Sequence, residues 1–226
     1  MTEAIDRSPM TDDAWNRLVD RRGPNRGDDR RDALLSAFEE LLRVQTLEQV
    51  NVAEISRRAG VTRSAFYFYF ESKAMAVMAL MQGLYDAAAD VNDILVKAEG
   101  MPEERIRSAI TMLFDSVDSS PHTYRALLEA RAASTTVRQM WDAGRAEFAG
   151  VIAGMIASER SAGHAADGPD AGSLASVLLD LNDHALERHS LGSGPPRDKH
   201  IETLTFLWLR GVYGVATDTR TPRKNA

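Results

Sequence analysis

Between Thr62 and Lys73 the chain reads TRSAFYFYFESK, and its chemically able groups are hydroxyls, one guanidinium, one ammonium and the Glu71 carboxylate. All but the carboxylate are hydrogen-bond donors, and donors of this kind fix a protein's register on a sugar-phosphate backbone. Arg63 can also read a base, because a guanidinium bridges guanine O6 and N7, worth about 1–3 kcal/mol of discrimination. Small polar residues open the segment and aromatics close it. That order suits a helix whose N-terminal end meets DNA while its other end is held in a small core.

A second reactive grouping is Asp180, His184 and Glu187, spaced four and three residues apart. On one helix face they could bind a metal, which makes a metal-dependent helical enzyme the rival reading. No second matched cluster accompanies them, and a solvated charged face has the same spacing. There is no serine–histidine–acid order with a nucleophile elbow, and no glycine-rich phosphate loop. The expectation is therefore no catalytic residue, no cofactor and no metal. Cysteine is absent, which excludes disulfides and cysteine-based zinc sites.

Charge gives a mixed signal. The net charge of −6 argues against nucleic acid, but residues 17–73 hold eleven Arg or Lys against nine Asp or Glu. From Ala74 onward the balance is fifteen against twenty, so a DNA-facing N-terminal part would ride on an acidic body. No apolar run approaches the roughly 18 residues of a membrane span. A cytoplasmic protein with no membrane partner is expected.

Local signals say what positions the segment. Asn51 is an N-cap with Glu54 three residues on, a capping-box arrangement opening a helix over 52–59. Gly60 ends that helix, and Thr62 caps the next. Val52, Ile55, Ala59 and Val61 point inward to fix the angle between the two. Two short helices about a glycine turn outline a helix-turn-helix. Ahead of them a helix over 28–44 presents Leu34, Leu35, Phe38, Leu41 and Leu42 as one stripe. After them the pattern predicts helices over 73–97, 103–119, 122–132, 134–162, 170–189 and 197–217, with no alternating strand pattern. The expected fold is all-α with nine helices. Its parts would be a disordered arm (1–25, containing Arg21, Arg22 and Arg26), a helix-turn-helix domain (26–73), a body (74–218) and a disordered tail (219–226).

The segment 52–73 resembles the DNA-binding domain of the TetR family of bacterial repressors, through Ile55, Ala59-Gly60-Val61-Thr62 and Phe66-Tyr67-x-Tyr69-Phe70-x-Ser72-Lys73. GDDR at 27–30, FYFYF at 66–70, Met140-Trp141, Leu181-Asn182 and Trp208-x4-Tyr213-Gly214 narrow the likeness to a mycobacterial repressor branch. The resemblance implies that Thr62, Arg63 and Ser64 open a recognition helix at the major groove. Tyr67 and Lys73 would contact phosphate, and Tyr69 the backbone or a base edge. It implies an elongated hydrophobic pocket lined by Ile106, Ile110, Leu113, Phe114, Val117, Trp141, Phe148, Val151, Leu186 and Trp208, with Asn182 as polar anchor. It also implies a homodimer; Leu178, Leu181, Ala185, Leu204, Leu207 and Gly211 are the expected seam. The function expected is a repressor that binds a palindromic operator in double-stranded DNA as a dimer and is released by a small hydrophobic effector. An effector-independent regulator or activator is the alternative.

Overall fold

A computed structural model describes residues 29–82, 90–91, 94–95 and 100–214. The expected arm and tail, and much of the helix expected over 73–97, lie outside the described residues. Among those described there are nine helices and no strand.

α1 (Asp29–Leu42) carries Asp29 and Asp32 in its first turn, where the helix dipole favours negative charge, and buries Leu34, Phe38, Leu41 and Leu42. It ends two residues before the sequence pattern does, and Val44 stands exposed in the following turn. α2 (Val52–Arg58) starts where the Asn51 side chain accepts the Ala53 N–H at 2.8 Å. Its end is closed by paired bonds from Val61 N to Ser56 O (2.9 Å) and Gly60 N to Arg57 O (3.3 Å). That closure requires a left-handed residue between them, and Gly60 sits at φ +67°. α3 (Arg63–Tyr69) follows, with Thr62 Oγ1 accepting the Ala65 N–H at 3.2 Å. Phe66 and Phe70 are fully buried with ring centroids 5.5 Å apart, and they pin α3 to the core.

α4 (Lys73–Leu80) is capped by Ser72. The body continues with α5 (Pro102–Ser119), α6 (Pro121–Ala133), α7 (Thr135–Ser161), α8 (Ala171–Ser190) and α9 (Arg197–Tyr213). Proline opens α5 and α6 at the position where a missing N–H costs nothing. The chain leaves α9 at Gly214, four residues before the expected end. α7 packs on α8, α5 on α9, and α8 on α9, while α6 packs on both α1 and α4. One hydrophobic core runs from Leu34 in the head to Val212 in the body.

Candidate nucleic-acid interface and body cavity

The seven residues of α3 divide by helical position. Phe66 and Tyr69 face inward; Arg63, Ser64, Tyr67 and Phe68 face out. Positions four apart stack along the surface, so Arg63 lies with Tyr67 and Ser64 with Phe68. The Arg63 guanidinium sits over the Tyr67 ring at 5.7 Å, with Nη2 3.4 Å from its hydroxyl. Thr62 Oγ1 and Ser64 Oγ lie 2.9 Å apart at the exposed N-terminal end. Thr62, Arg63, Ser64 and Tyr67 therefore share one outward surface.

Two residues expected at DNA are engaged within the chain. Tyr69 is 4 % exposed and packs between Phe68 and Phe70, so its side chain belongs to the core and not to the outward face. Lys73 does not extend toward solvent either. Its Nζ donates to the carbonyls of Leu47 (2.6 Å), Val50 (2.6 Å) and Glu48 (3.1 Å). An ammonium has three donors and no acceptor, so these carbonyls use its whole capacity. The residue expected to hold phosphate clamps the α1–α2 connection here.

Glu54 also departs from expectation. Its carboxylate binds Arg57 (2.8 and 2.7 Å) and Arg58 (2.9 Å), not the start of its own helix. Those guanidinium hydrogen bonds hold Glu54 down to about 2, and Glu54 in turn raises Arg57. The two arginines of α2 are partly neutralised before any phosphate approaches.

Three contacts that sequence reasoning missed join this head to the body. Leu47 N–H donates to Glu129 Oε2 on α6 at 2.8 Å, and buried His122 on α6 lies 3.0 Å from Glu39 on α1. Lys73 on α4 supplies the third. Only residues 82 and 83 positions apart meet in the α6 contacts, so no local pattern announces them.

Inside the body a cleft with about 10 Å³ of free space is lined by Val91, Leu95, Ile106, Ala109, Ile110, Leu113, Phe148, Leu179, Asn182 and Trp208. Six residues expected there are present: Ile106, Ile110, Leu113, Phe148, Asn182 and Trp208. Val91, Leu95, Ala109 and Leu179 were not foreseen. Phe114, Val117 and Leu186 are buried in packing elsewhere, and Phe114 meets the rings of His189 and His200. Trp141 and Val151 do not line the cleft; Trp141 lies under the Arg131 guanidinium at 4.5 Å. Trp208 Nε1 donates to Asn182 Oδ1 at 3.0 Å. An indole N–H only donates, so the amide oxygen of Asn182 must face it, leaving the amide NH₂ as the donor Asn182 can offer a ligand.

On α8, Arg145 from α7 binds Asp180 (3.2 Å) and Asp183 (2.7 Å). His184 is exposed and Glu187 half-buried. Burial pushes the Asp183 carboxyl up while Arg145 and Arg131 oppose it. The acidic face suggested as a metal site is thus met by arginine.

The residues expected at a dimer seam divide between core and surface. Leu178, Ala185 and Leu204 are buried within the single chain, and Gly211 lets α9 approach α8, since a Cβ there would meet Leu174 Cδ1 at 3.3 Å. Leu181 and Leu207 are exposed as expected, joined by Val177 and by Phe206, which is 53 % exposed. The outward apolar residues of α8 and α9 thus keep Leu181 and Leu207 of the stripe first inferred and add Val177 and Phe206.

Comparison with known proteins agrees with this architecture. Residues 34–75 match the family described as "Bacterial regulatory proteins, tetR family", and residues 106–214 match "Transcriptional regulator EthR, C-terminal domain". The HTH-type transcriptional regulator EthR of Mycolicibacterium smegmatis is 33 % identical over 193 residues, covering 83 % of this chain and 88 % of the relative. EthR of Mycobacterium tuberculosis is 30 % identical over 192 residues, covering 83 % and 89 %. Among solved structures, Thermus thermophilus FadR in complex with lauroyl-CoA has a TM-score of 0.62 at 19 % identity, covering 85 % of this chain and 98 % of that one. Reduced Escherichia coli NemR has a TM-score of 0.61 at 20 % identity, covering 83 % and 100 %. Among the described residues no helix is long and apolar enough to cross a membrane.

Proposed function

Because the chain belongs to the TetR family of helix-turn-helix transcriptional regulators, and so is not an enzyme, we propose that it is a cytoplasmic, homodimeric repressor released from a palindromic operator by a small hydrophobic effector. The observation that carries the reading is the outward face of α3, where Thr62, Arg63, Ser64 and Tyr67 stand together on a helix pinned from behind by Phe66 and Phe70. A helix so placed enters a major groove with its N-terminal residues at base edges. Arg63 bridges guanine, and the hydroxyls of Thr62, Ser64 and Tyr67 hold phosphate or base-edge acceptors.

An effector is supported by the apolar cleft and by Asn182, whose amide NH₂ selects an apolar molecule carrying a hydrogen-bond acceptor. Binding in the body would favour a conformer in which the heads no longer match the half-site spacing, through different affinity for the two conformers. A protein of the same fold, Thermus thermophilus FadR, holds lauroyl-CoA.

The test is mobility shift with the DNA upstream of the gene. Arg63→Ala is expected to weaken binding about 5- to 150-fold, the loss of one bidentate guanine contact. Tyr67→Phe is expected to weaken it about tenfold, through one charge-assisted hydrogen bond. Long apolar amides or esters should release the wild-type complex. Binding unchanged in both variants would refute the recognition surface.

Dimerisation is supported by Val177, Leu181, Phe206 and Leu207, apolar residues that α8 and α9 leave exposed, with the Arg210 guanidinium 5.0 Å over the Phe206 ring. In sedimentation velocity the wild type should run as a dimer. Leu181→Glu with Phe206→Glu should weaken association tenfold or more, about the effect of losing an interface hot spot. A double variant that still dimerises like wild type would place the interface elsewhere.

A further inference from the structure

We propose that Phe68 is a base-reading residue, whose ring meets thymine C5-methyl groups in the major groove of each operator half-site. The inference rests on the DNA-binding reading above and adds a specificity determinant to it. Phe68 is 49 % exposed on α3, while the neighbouring aromatics Phe66, Tyr69 and Phe70 are buried. The other outward residues of the helix, Arg63, Ser64 and Tyr67, are all polar. Successive residues of an α-helix turn by about 100°, which sets Arg63 and Phe68 on opposite flanks of the outward face, with Tyr67 and Ser64 between them. One flank thus carries a guanidinium and the other an apolar ring.

A major groove has matching chemistry for each. Guanine presents two acceptors to arginine, and thymine presents the one apolar group on any base edge, which phenylalanine contacts. The Phe68 ring cannot hydrogen-bond phosphate, so it gains nothing from the backbone contacts open to Thr62, Ser64 or Tyr67. Its edge-to-face contact with Tyr69, ring centroids 5.1 Å apart, braces it against the core and limits its swing. A braced apolar ring on the flank opposite a guanine-reading arginine selects a guanine and a thymine at fixed separation along the groove.

Removing the methyl from the DNA tests this directly. The upstream duplex is made once with thymidine and once with deoxyuridine throughout, which deletes only the C5-methyl groups, and full-length protein is titrated against both. Wild type should bind the deoxyuridine duplex about fourfold more weakly per contacted methyl, equivalent to ~0.8 kcal/mol, and about 15-fold more weakly over two half-sites. Phe68→Ala and the bulkier Phe68→Gln should bind thymidine DNA that much more weakly and should treat the two duplexes alike. Equal wild-type affinity for both duplexes, or a thymidine preference retained in both variants, would overturn the assignment. Failure of the wild type to bind the thymidine duplex would remove the DNA-binding reading, and this inference with it.

Discussion

Replacing Arg105 with methionine is expected to cost about 3–5 kcal/mol of folding stability, the usual consequence of leaving one member of a buried ion pair alone. Arg105 and Glu159 are each about 8 % exposed, and the Arg105 Nη2 lies 2.9 Å from Glu159 Oε1. The same nitrogen donates to the Tyr213 hydroxyl at 3.1 Å, and Nη1 donates to the Leu95 carbonyl at 3.2 Å. One guanidinium therefore ties the start of α5 to the ends of α7 and α9, beside the cleft residues Leu95 and Ile106. Burial alone would push the Glu159 carboxyl up, but Arg105, with Tyr213 and His164, outweighs it and holds the carboxyl below its ordinary value. A depressed carboxylate contributes stability that is full above its unfolded value and is lost as pH falls through the folded one. Wild type should therefore lose stability on acidification below about pH 4.5, and Arg105→Met should lose less over the same range. Urea denaturation of Arg105→Met and of Arg105→Met with Glu159→Leu provides the check. The double variant should recover much of the loss, since a well-packed apolar pair can equal a buried ion pair. A loss under about 1 kcal/mol in the single variant would show that the charge is not sequestered as described.

Lys73→Met should cost about 2–4 kcal/mol, because hydrogen bonds to a charged group contribute roughly 1.5–3 kcal/mol and three carbonyls lose theirs together. It should also weaken operator binding, since the α1–α2 connection that Lys73 holds carries α2 and the recognition helix. The salt dependence separates the two roles open to this residue. A lysine on phosphate releases a counterion, and its loss lowers the slope of log K against log salt by about 0.9. A lysine committed to Leu47, Glu48 and Val50 leaves the slope unchanged. A slope that falls by a full unit in Lys73→Met would restore the phosphate contact.

The helices were legible because their signals are local. Asn51, Gly60, Thr62 and Ser72 each act within three or four residues of themselves, and each acts in the structure as its type predicts. The job of Lys73 was not legible, because its acceptors lie 23 to 26 residues earlier on a connection with no periodic pattern. Arg105 reads as an ordinary charge near a helix start; its partner is 54 residues away. The apolar residues of α8 and α9 were read as one group, but they divide between the chain's own core and its exposed surface. Periodicity does not say which of two adjoining stripes packs inward, and for Leu178, Ala185 and Leu204 the inward choice prevailed. The cleft was half legible, since Ile106, Ile110 and Leu113 repeat on one face of α5 while Ala109 and Leu179 carry no distinguishing mark.

The size of that cleft also bears on time. With about 10 Å³ of free space it has room for about one water, far below the roughly 300–1,000 Å³ of sites that hold drug-sized ligands, and the Trp208–Asn182 hydrogen bond spans two of its lining side chains. On the proposed reading, a drug-sized effector would need a wider conformer, and its apparent affinity would be reduced by the fraction of molecules already open. The speed of response is bounded in the same way. Once effector is abundant, adding more cannot make the cleft open faster, and release from DNA would proceed at a pace set by the protein's own breathing. Under the proposed effector release, a regulator built like this would answer sustained exposure more readily than brief pulses.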